Sequence, residues 1–302
     1  MDNFTLLNQV LIIFLIMLTG VYARKRNIID DKLNKGLTSV LLNLTLPLNI
    51  IASFNVGFSK DLLFNIMIIF LFGALMHPIS FFIGKLLFRN EKKEEKNILV
   101  FSAIFSNCGF MAFPILDSLY GKTGVLYGSI FLAPFNIYLW TLGARLFSED
   151  TKTFKIKNII NPGIVAVILG LSIFIFSIKL PFPVQRCFEI VGSMTTPLSM
   201  MITGVIIAEL KISEIFSSMS IYKISFVRLV LLPILFAAIL KLIGVAEVVY
   251  GICILISAMP VAAMSTVFAE RFNGNSAFAS KSVFITTIIS LVTIPLMAFF
   301  LL

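Results

Sequence analysis

Long apolar runs, each close to the length that crosses a membrane, follow one another along almost the whole chain. An α-helix needs about 20 predominantly apolar residues to cross a bilayer. Hydropathy alone also allows nine or eleven spans, because Pro47, Pro197 and Pro260 interrupt three of the runs. We predict ten spans: Phe4–Ala23, Gly36–Phe54, Leu62–Phe88, Ile98–Leu119, Gly124–Phe147, Asn161–Ile178, Cys187–Leu210, Tyr222–Ile243, Val248–Phe272 and Ser276–Leu302.

The composition agrees with an all-α polytopic membrane protein. Mean hydropathy is +1.02, and only 13% of residues are charged, whereas about a quarter are charged in soluble domains. The net charge of +9 comes from basic residues that flank the apolar runs, so no nucleic-acid partner is expected. Cys108, Cys187 and Cys253 have no metal-binding spacing. We therefore expect neither a metal site nor a cofactor.

The distribution of basic residues predicts the orientation of the spans. Of the 24 lysines and arginines, 19 follow odd-numbered spans. Cytoplasmic loops carry the excess of lysine and arginine, so both termini are predicted to lie outside the cell membrane. This count assigns Arg228 to the loop after the seventh span. The other side holds only Lys60, Lys122, Lys179, Arg186 and Lys241.

The two halves of the chain share the spacing of their helix-breaking residues. Pro47 and Pro197 are 150 positions apart, and Asn107 and Pro260 are 153 apart. Five spans per half would place the second half in the opposite orientation. We predict two inverted five-helix repeats, residues 1–147 and 161–302, joined by a short cytoplasmic linker, residues 148–160.

Two segments interrupt the apolar runs of spans 4 and 9, namely Ser106–Pro114 and Ser257–Ala263. Non-helical backbone at membrane depth is tolerated where it is buried in protein or lines a cavity. We expect both helices to unwind and cross near the midplane, with Gly109 and Pro114 bracketing the first break. The half-helices that follow would present free N–H groups and a positive dipole end, which favour an anionic ligand.

These segments resemble those of the auxin efflux carrier family, whose bacterial members include malate permeases. The resemblance also extends to the architecture of the bile acid–sodium symporter superfamily, and it covers essentially the whole length. It is carried by the segments Ser106–Pro114, Ala258–Pro260, Val267–Asn273 and Ile294–Pro295.

The resemblance implies a scaffold of spans 1, 2, 6 and 7 and a transport domain of spans 3–5 and 8–10 that moves like an elevator. It also implies a homodimer formed through the scaffold. The crossover asparagine of the family falls on Asn107, its span-9 proline on Pro260, and a polar residue of span 5 on Asn136. Within the same motifs, the substrate-binding residues would include Cys108, Gly109, Pro114 and Met259.

Three further polar residues lie inside predicted spans, where ionisable and polar side chains are costly. Asn43 either satisfies backbone opened by the proline of span 2 or lines the substrate path. Asp117 is either a carboxylate that couples protons or sodium, or a helix-end residue near Gly121. His77, followed by Pro78, is either a proton relay or a packing residue at a proline kink.

The leading functional prediction is a secondary active carrier for a small organic anion, such as malate or an auxin-like acid. A proton or a sodium ion is the candidate coupling ion, and membrane lipid is the surrounding partner. No nucleotide-binding motif and no catalytic pair occurs in the sequence, so we do not expect an enzyme. The alternatives are a membrane-embedded ligand sensor and a sodium-coupled symporter of a larger amphipathic anion.

Overall fold

The computed structural model describes residues 3–57, 59–147, 161–208, 218–272 and 274–301. The predicted linker, residues 148–160, lies outside the described residues. In chain order the helices are α1 (Asn3–Lys25), α2 (Asp31–Val40), α3 (Leu46–Ser53), α4 (Lys60–Leu87), α5 (Lys93–Ile104), α6 (Phe113–Tyr138), α7 (Ala144–Phe147), α8 (Pro162–Ile175), α9 (Phe182–Ser193), α10 (Thr195–Ala208), α11 (Met219–Phe226), α12 (Leu232–Ile243), α13 (Glu247–Ala258), α14 (Met264–Arg271) and α15 (Ser276–Leu301).

Within the described ranges, four five-residue π-helical turns widen or join these helices. Each is a local insertion of the kind often found near functional sites. The turns are Leu41–Thr45, Cys108–Ala112, Leu139–Gly143 and Val227–Leu231. The predicted all-α class is confirmed. Over the ranges that the structure describes, the β-structure consists of one isolated antiparallel bridge between Ser106 and Val261.

Six helical ranges of the described chain are long and apolar enough to cross a membrane. Helices α8 and α13 are apolar but shorter, at 14 and 12 residues. The chain is therefore a multi-pass membrane protein, while the number of ten spans stays a prediction. The six ranges are Asp31–Ser53, Lys60–Leu87, Cys108–Phe147, Phe182–Ala208, Met219–Ile243 and Ser276–Leu301.

Helix α6 turns sharply at Gly121, which has a φ of 56° and a ψ of −142°. Glycine adopts a positive φ without the penalty that a Cβ brings. The two arms then pack against each other, since Gly124 lies against the backbone of Leu116, and Gly128 lies against the side chains of Leu116 and Phe113. The turn at Gly121 lies between the predicted end of span 4 at Leu119 and the predicted start of span 5 at Gly124.

The chain divides into two compact units. The first unit comprises residues 1–69, 109–132 and 160–210, and the second comprises residues 70–108, 133–159 and 211–302. Helices α4 and α6 each contribute to both units. In the first unit α1 packs along α10, and α3 packs on both α8 and α9.

Helices α1 and α10 of the first unit approach closely because each presents a glycine to the other. A Cβ built on Gly20 would overlap the carbonyl of Met201, and a Cβ on Gly204 would overlap the carbonyl of Met17. Small residues at a helix–helix contact let two backbones approach within a membrane, where dispersion forces provide much of the stability.

We expect Gly204→Ala to lower the free energy of unfolding by roughly 1–3 kcal/mol, because the added methyl forces α1 and α10 apart. Gly36→Ala is the matched control, since no atom lies within 4 Å of the Cβ position at Gly36. The measurement is thermal unfolding of both variants in detergent. Equal midpoints for the two variants would contradict the close α1–α10 packing.

In the second unit, α13 and α15 pack together, and α11, α5 and α14 each contact α15. Aromatic rings fill the space beside α5 and α14: Phe101 lies against Phe105, Phe147 and Phe268, and Trp140 lies against Phe268. This packing joins α5 and α7 to α14. Helix α13 ends at Ala258, inside the predicted interruption Ser257–Ala263, whereas α5 ends at Ile104, just before the predicted interruption Ser106–Pro114.

Candidate functional site

The first helix break follows α5 and begins earlier than predicted. Helix α5 ends at Ile104, and Phe105 is extended, with φ −102° and ψ 114°. Helical hydrogen bonding resumes in the π-helical turn that starts at Cys108. The expectation that Gly109 and Pro114 bracket the break is therefore wrong, because the extended residues are 105–107. Phe105 N–H still bonds the Phe101 carbonyl at 3.0 Å, so the helix is complete up to that point.

The second break follows α13 and pairs with the first. Helix α13 ends at Ala258, Met259 is extended, and α14 begins at Met264. Asn107 N–H donates to the Pro260 carbonyl at 2.8 Å, and Ala262 N–H donates to the Phe105 carbonyl at 3.0 Å. We call residues 105–107 and 259–262 the crossing. Here the backbone groups that a broken helix leaves unpaired bond to each other.

Most backbone N–H groups around the second break already have acceptors. Val261 N–H donates to the Thr286 hydroxyl at 3.2 Å. Ser265 and Thr266 N–H groups donate to the Ala262 and Ala263 carbonyls at 2.9 and 3.1 Å. The N–H groups that were expected to be free at this half-helix are thus largely paired, because a tightened first turn satisfies them.

A buried arginine holds the ends of both helices that enter the crossing. Arg228 is 0% exposed. Its Nη1 donates to the Ala103 carbonyl at 3.1 Å, its Nη2 to the Ser257 carbonyl at 2.9 Å, and its Nε to the Met259 carbonyl at 3.0 Å. Carbonyls in the last turn of a helix have no partner within the helix. The guanidinium, with donors in a planar fork, supplies those partners at α5 and α13 together.

The charge count assigns Arg228 to a loop, and the structure shows that this assignment is wrong, whereas the predicted eighth span, Tyr222–Ile243, does contain it. It lies in the π-helical turn Val227–Leu231, inside the membrane-spanning range Met219–Ile243. The signal that identifies it is its position inside the apolar run of residues 224–240, which contains no other charged residue. A charged side chain inside such a run is expensive unless it has partners. Hydropathy could not give the partners, because they are backbone carbonyls of two distant segments.

Five of the predicted substrate-binding residues lie in the second unit, and four of these belong to the crossing or adjoin it. Asn107 is 7% exposed and Asn136, on α6, is 9% exposed. Cys108 directly follows the extended residues, and its N–H donates to the Ser106 carbonyl at 2.8 Å. Met259 and Pro260 provide the carbonyls that bind Arg228 and Asn107.

His77 is buried in the second unit among aromatic rings. Its Nδ1 is 2.5 Å from the Gly73 carbonyl, and its ring stacks on Tyr138 with centroids 5.2 Å apart. Pro78 has no N–H for the Ala74 carbonyl, and the Tyr138 hydroxyl donates to that carbonyl at 3.0 Å instead. These contacts favour the interpretation that His77 packs at a proline kink.

Three predicted substrate-binding residues lie in the first unit instead, namely Asn43, Gly109 and Pro114. Asn43 is exposed, and its amide donates to the carbonyl and hydroxyl of Ser39 at 2.9 and 3.2 Å. These bonds favour a structural role for Asn43 over a role in lining the substrate path. Pro114 is buried in the first turn of α6, whereas a Cβ on Gly109 would meet no atom within 4 Å.

Asp117, also in the first unit, lies one turn before Gly121 and is partly buried. The Thr196 hydroxyl, on the first turn of α10, donates to its carboxylate at 3.1 Å. The next turn of α10 makes a second contact with the same stretch of chain, because the Ser199 hydroxyl donates to the Phe110 carbonyl. Beyond Gly121, Lys122 pairs with Glu189 at 2.6 Å. Nothing in the sequence pattern indicates that α10 and α9 hold both ends of this arm.

Comparison with known proteins agrees with the architecture. The model of the family described as "Membrane transport protein" matches residues 5–157 and 148–298. The uncharacterized transporter MJ1031 of Methanocaldococcus jannaschii is 22% identical over 98% of this chain and 99% of its own length. The uncharacterized transporter YfdV of Escherichia coli K12 is 22% identical over 96% of both chains.

Apolar spans interrupted at a paired crossing, together with these matches, define a helical multi-pass membrane transporter. The chain belongs to the membrane transport protein family, which is the auxin efflux carrier family that its motifs resemble.

Proposed function

We propose that this transporter is a secondary active carrier for a small organic anion, such as malate or another carboxylate, bound at the crossing. One observation carries the proposal. Two interrupted apolar helices are paired through backbone bonds at Asn107 and Pro260, and buried amide side chains lie in the same unit. Interrupted helices at membrane depth are the typical substrate sites of secondary transporters.

Several features support the proposed inverted repeat. In both halves a helix ends at a break and is followed by a short helical arm, a turn that contains a glycine and a longer helix. In the first half the helix is α5, and the two arms of α6 lie on either side of Gly121. In the second half the helix is α13, the short arm is α14, and α15 follows Gly274. We propose ten spans in two such repeats, with both termini outside the cell membrane. In the proposed elevator, spans 3–5 and 8–10 move against a dimeric scaffold of spans 1, 2, 6 and 7.

Binding of organic anions to the purified protein tests this function. A ligand that binds the native state raises the unfolding midpoint, and the effect grows with its concentration relative to its dissociation constant. We expect at least one of malate, succinate, lactate and indoleacetate to stabilise the protein. A panel at two pH values, with and without sodium, also identifies the coupling ion. Stabilisation by neutral or cationic solutes alone would contradict the anion proposal.

For Asp117 we propose a role in ion coupling, and Asp117→Asn tests it. The variant keeps the hydrogen bond from Thr196 but cannot carry a negative charge. We expect exchange of labelled substrate across proteoliposomes to continue, whereas accumulation driven by a proton or sodium gradient is lost. Asp61→Asn is the control, because Asp61 is an exposed acid in the first turn of α4. Wild-type accumulation by Asp117→Asn would exclude the coupling role.

A further inference from the structure

The ends of α5 and α13 bring negative dipole ends to the crossing. A helix C-terminus is equivalent to roughly half a negative charge, carried by its unpaired carbonyls. Ala103 and Ser257 lie in the last turns of these helices, and Met259 is the first residue after α13. Their three carbonyls would repel an anion that approached the crossing.

Arg228 changes this balance of charge. Its guanidinium binds all three carbonyls at 2.9–3.1 Å and is fully buried. In the part of the chain that the structure describes, no carboxylate forms an ion pair with Arg228. A full positive charge therefore opposes partial negative charges, and the neighbourhood of the crossing is left electropositive.

The charge of Arg228 reaches the candidate substrate residues. Its Nε bonds the carbonyl of Met259, the residue before Pro260, and Pro260 in turn accepts the Asn107 N–H. Water screens such a charge weakly inside a buried site, so its effect on a bound ion is stronger than at a surface.

We propose that Arg228 is the residue that makes the crossing select an anion over its neutral isostere. In this proposal Arg228 neutralises the three carbonyls, and its remaining positive charge makes the electrostatic potential at the crossing favourable for an anion. This inference rests on the proposed function, since it concerns the same substrate site. It assigns the selection of charge to a side chain that binds no substrate atom itself.

The experiment measures the preference for a carboxylate over its amide. Wild-type protein and variants are titrated with malate against malamide, and with indoleacetate against indoleacetamide, using the shift in unfolding midpoint. We expect Arg228→Gln to lower the carboxylate preference at least tenfold, with the affinity for the amide kept within threefold. Lys241→Gln, which removes an exposed positive charge from the same spanning segment, should leave the preference unchanged.

A second variant keeps the test decisive if Arg228→Gln does not fold. Arg228→Lys retains the positive charge with fewer directed donors, so it should keep the carboxylate preference within threefold although its midpoint falls. An unchanged preference in folded Arg228→Gln, or a lost preference in folded Arg228→Lys, would overturn the inference while leaving the carrier proposal intact. Wild-type protein that binds neither member of each pair would instead count against the proposed function.

Discussion

Arg228→Met is expected to destabilise the protein more than any other single substitution of a polar residue in the second unit. The methionine fills a similar apolar volume but donates no hydrogen bond, so the carbonyls of Ala103, Ser257 and Met259 lose their donors. A buried polar group without a partner costs roughly 1–3 kcal/mol. We therefore expect the free energy of unfolding to fall by about 3 kcal/mol or more, measured by thermal unfolding in detergent.

Arg89→Met is the control for this prediction. Arg89 is exposed in the turn after α4, and substitutions at exposed positions usually change stability by less than about 0.5 kcal/mol. Equal midpoints for Arg228→Met and Arg89→Met would contradict the assigned role of Arg228 in joining the two helix ends.

Asn107→Ala is expected to abolish transport and leave the fold intact. Its backbone N–H, which pairs with the Pro260 carbonyl at 2.8 Å, survives the substitution. Only the amide of the side chain is lost, and the proposed function has that amide contact the substrate. A site built to hydrogen-bond its substrate loses far more than a hydrophobic contact when one partner is removed. We expect uptake into proteoliposomes to fall at least about a hundredfold.

Asn97→Ala is the matched control for this result, because Asn97 lies earlier on α5 and outside the crossing. Both variants should unfold at nearly the wild-type temperature, and Asn97→Ala should transport normally. Uptake by Asn107→Ala at the wild-type rate would exclude Asn107 from the substrate site, whatever its burial.

The helical class, the second break and the turn at Gly121 could be predicted from the sequence because each has a local cause. Apolar runs predict spans, Pro260 cannot donate a backbone hydrogen bond, and Gly121 tolerates a positive φ. The first break lies a few residues earlier than the sequence predicts. Its cause is the pairing of residues 105–107 with residues 260–262, and such pairing between distant segments leaves no local signature.

The location and the partners of Arg228 could not be predicted from the pattern of charges along the chain. A count of basic residues treats every lysine and arginine as a loop residue and so takes an intramembrane arginine as evidence of orientation. Its three acceptors belong to α5 and α13 and the residue that follows α13, far from it in sequence. The contact between Asp117 and Thr196 is also long-range, which is why the surroundings of Asp117 could not be derived from its neighbours.

Uptake of labelled organic anions into proteoliposomes tests the central claim most directly. We predict saturable uptake of a small carboxylate by the wild-type protein, competed by unlabelled carboxylates and absent from Asn107→Ala vesicles. Uptake that stays linear with concentration, or that is equal in wild-type and Asn107→Ala vesicles, would contradict an anion carrier with its site at the crossing.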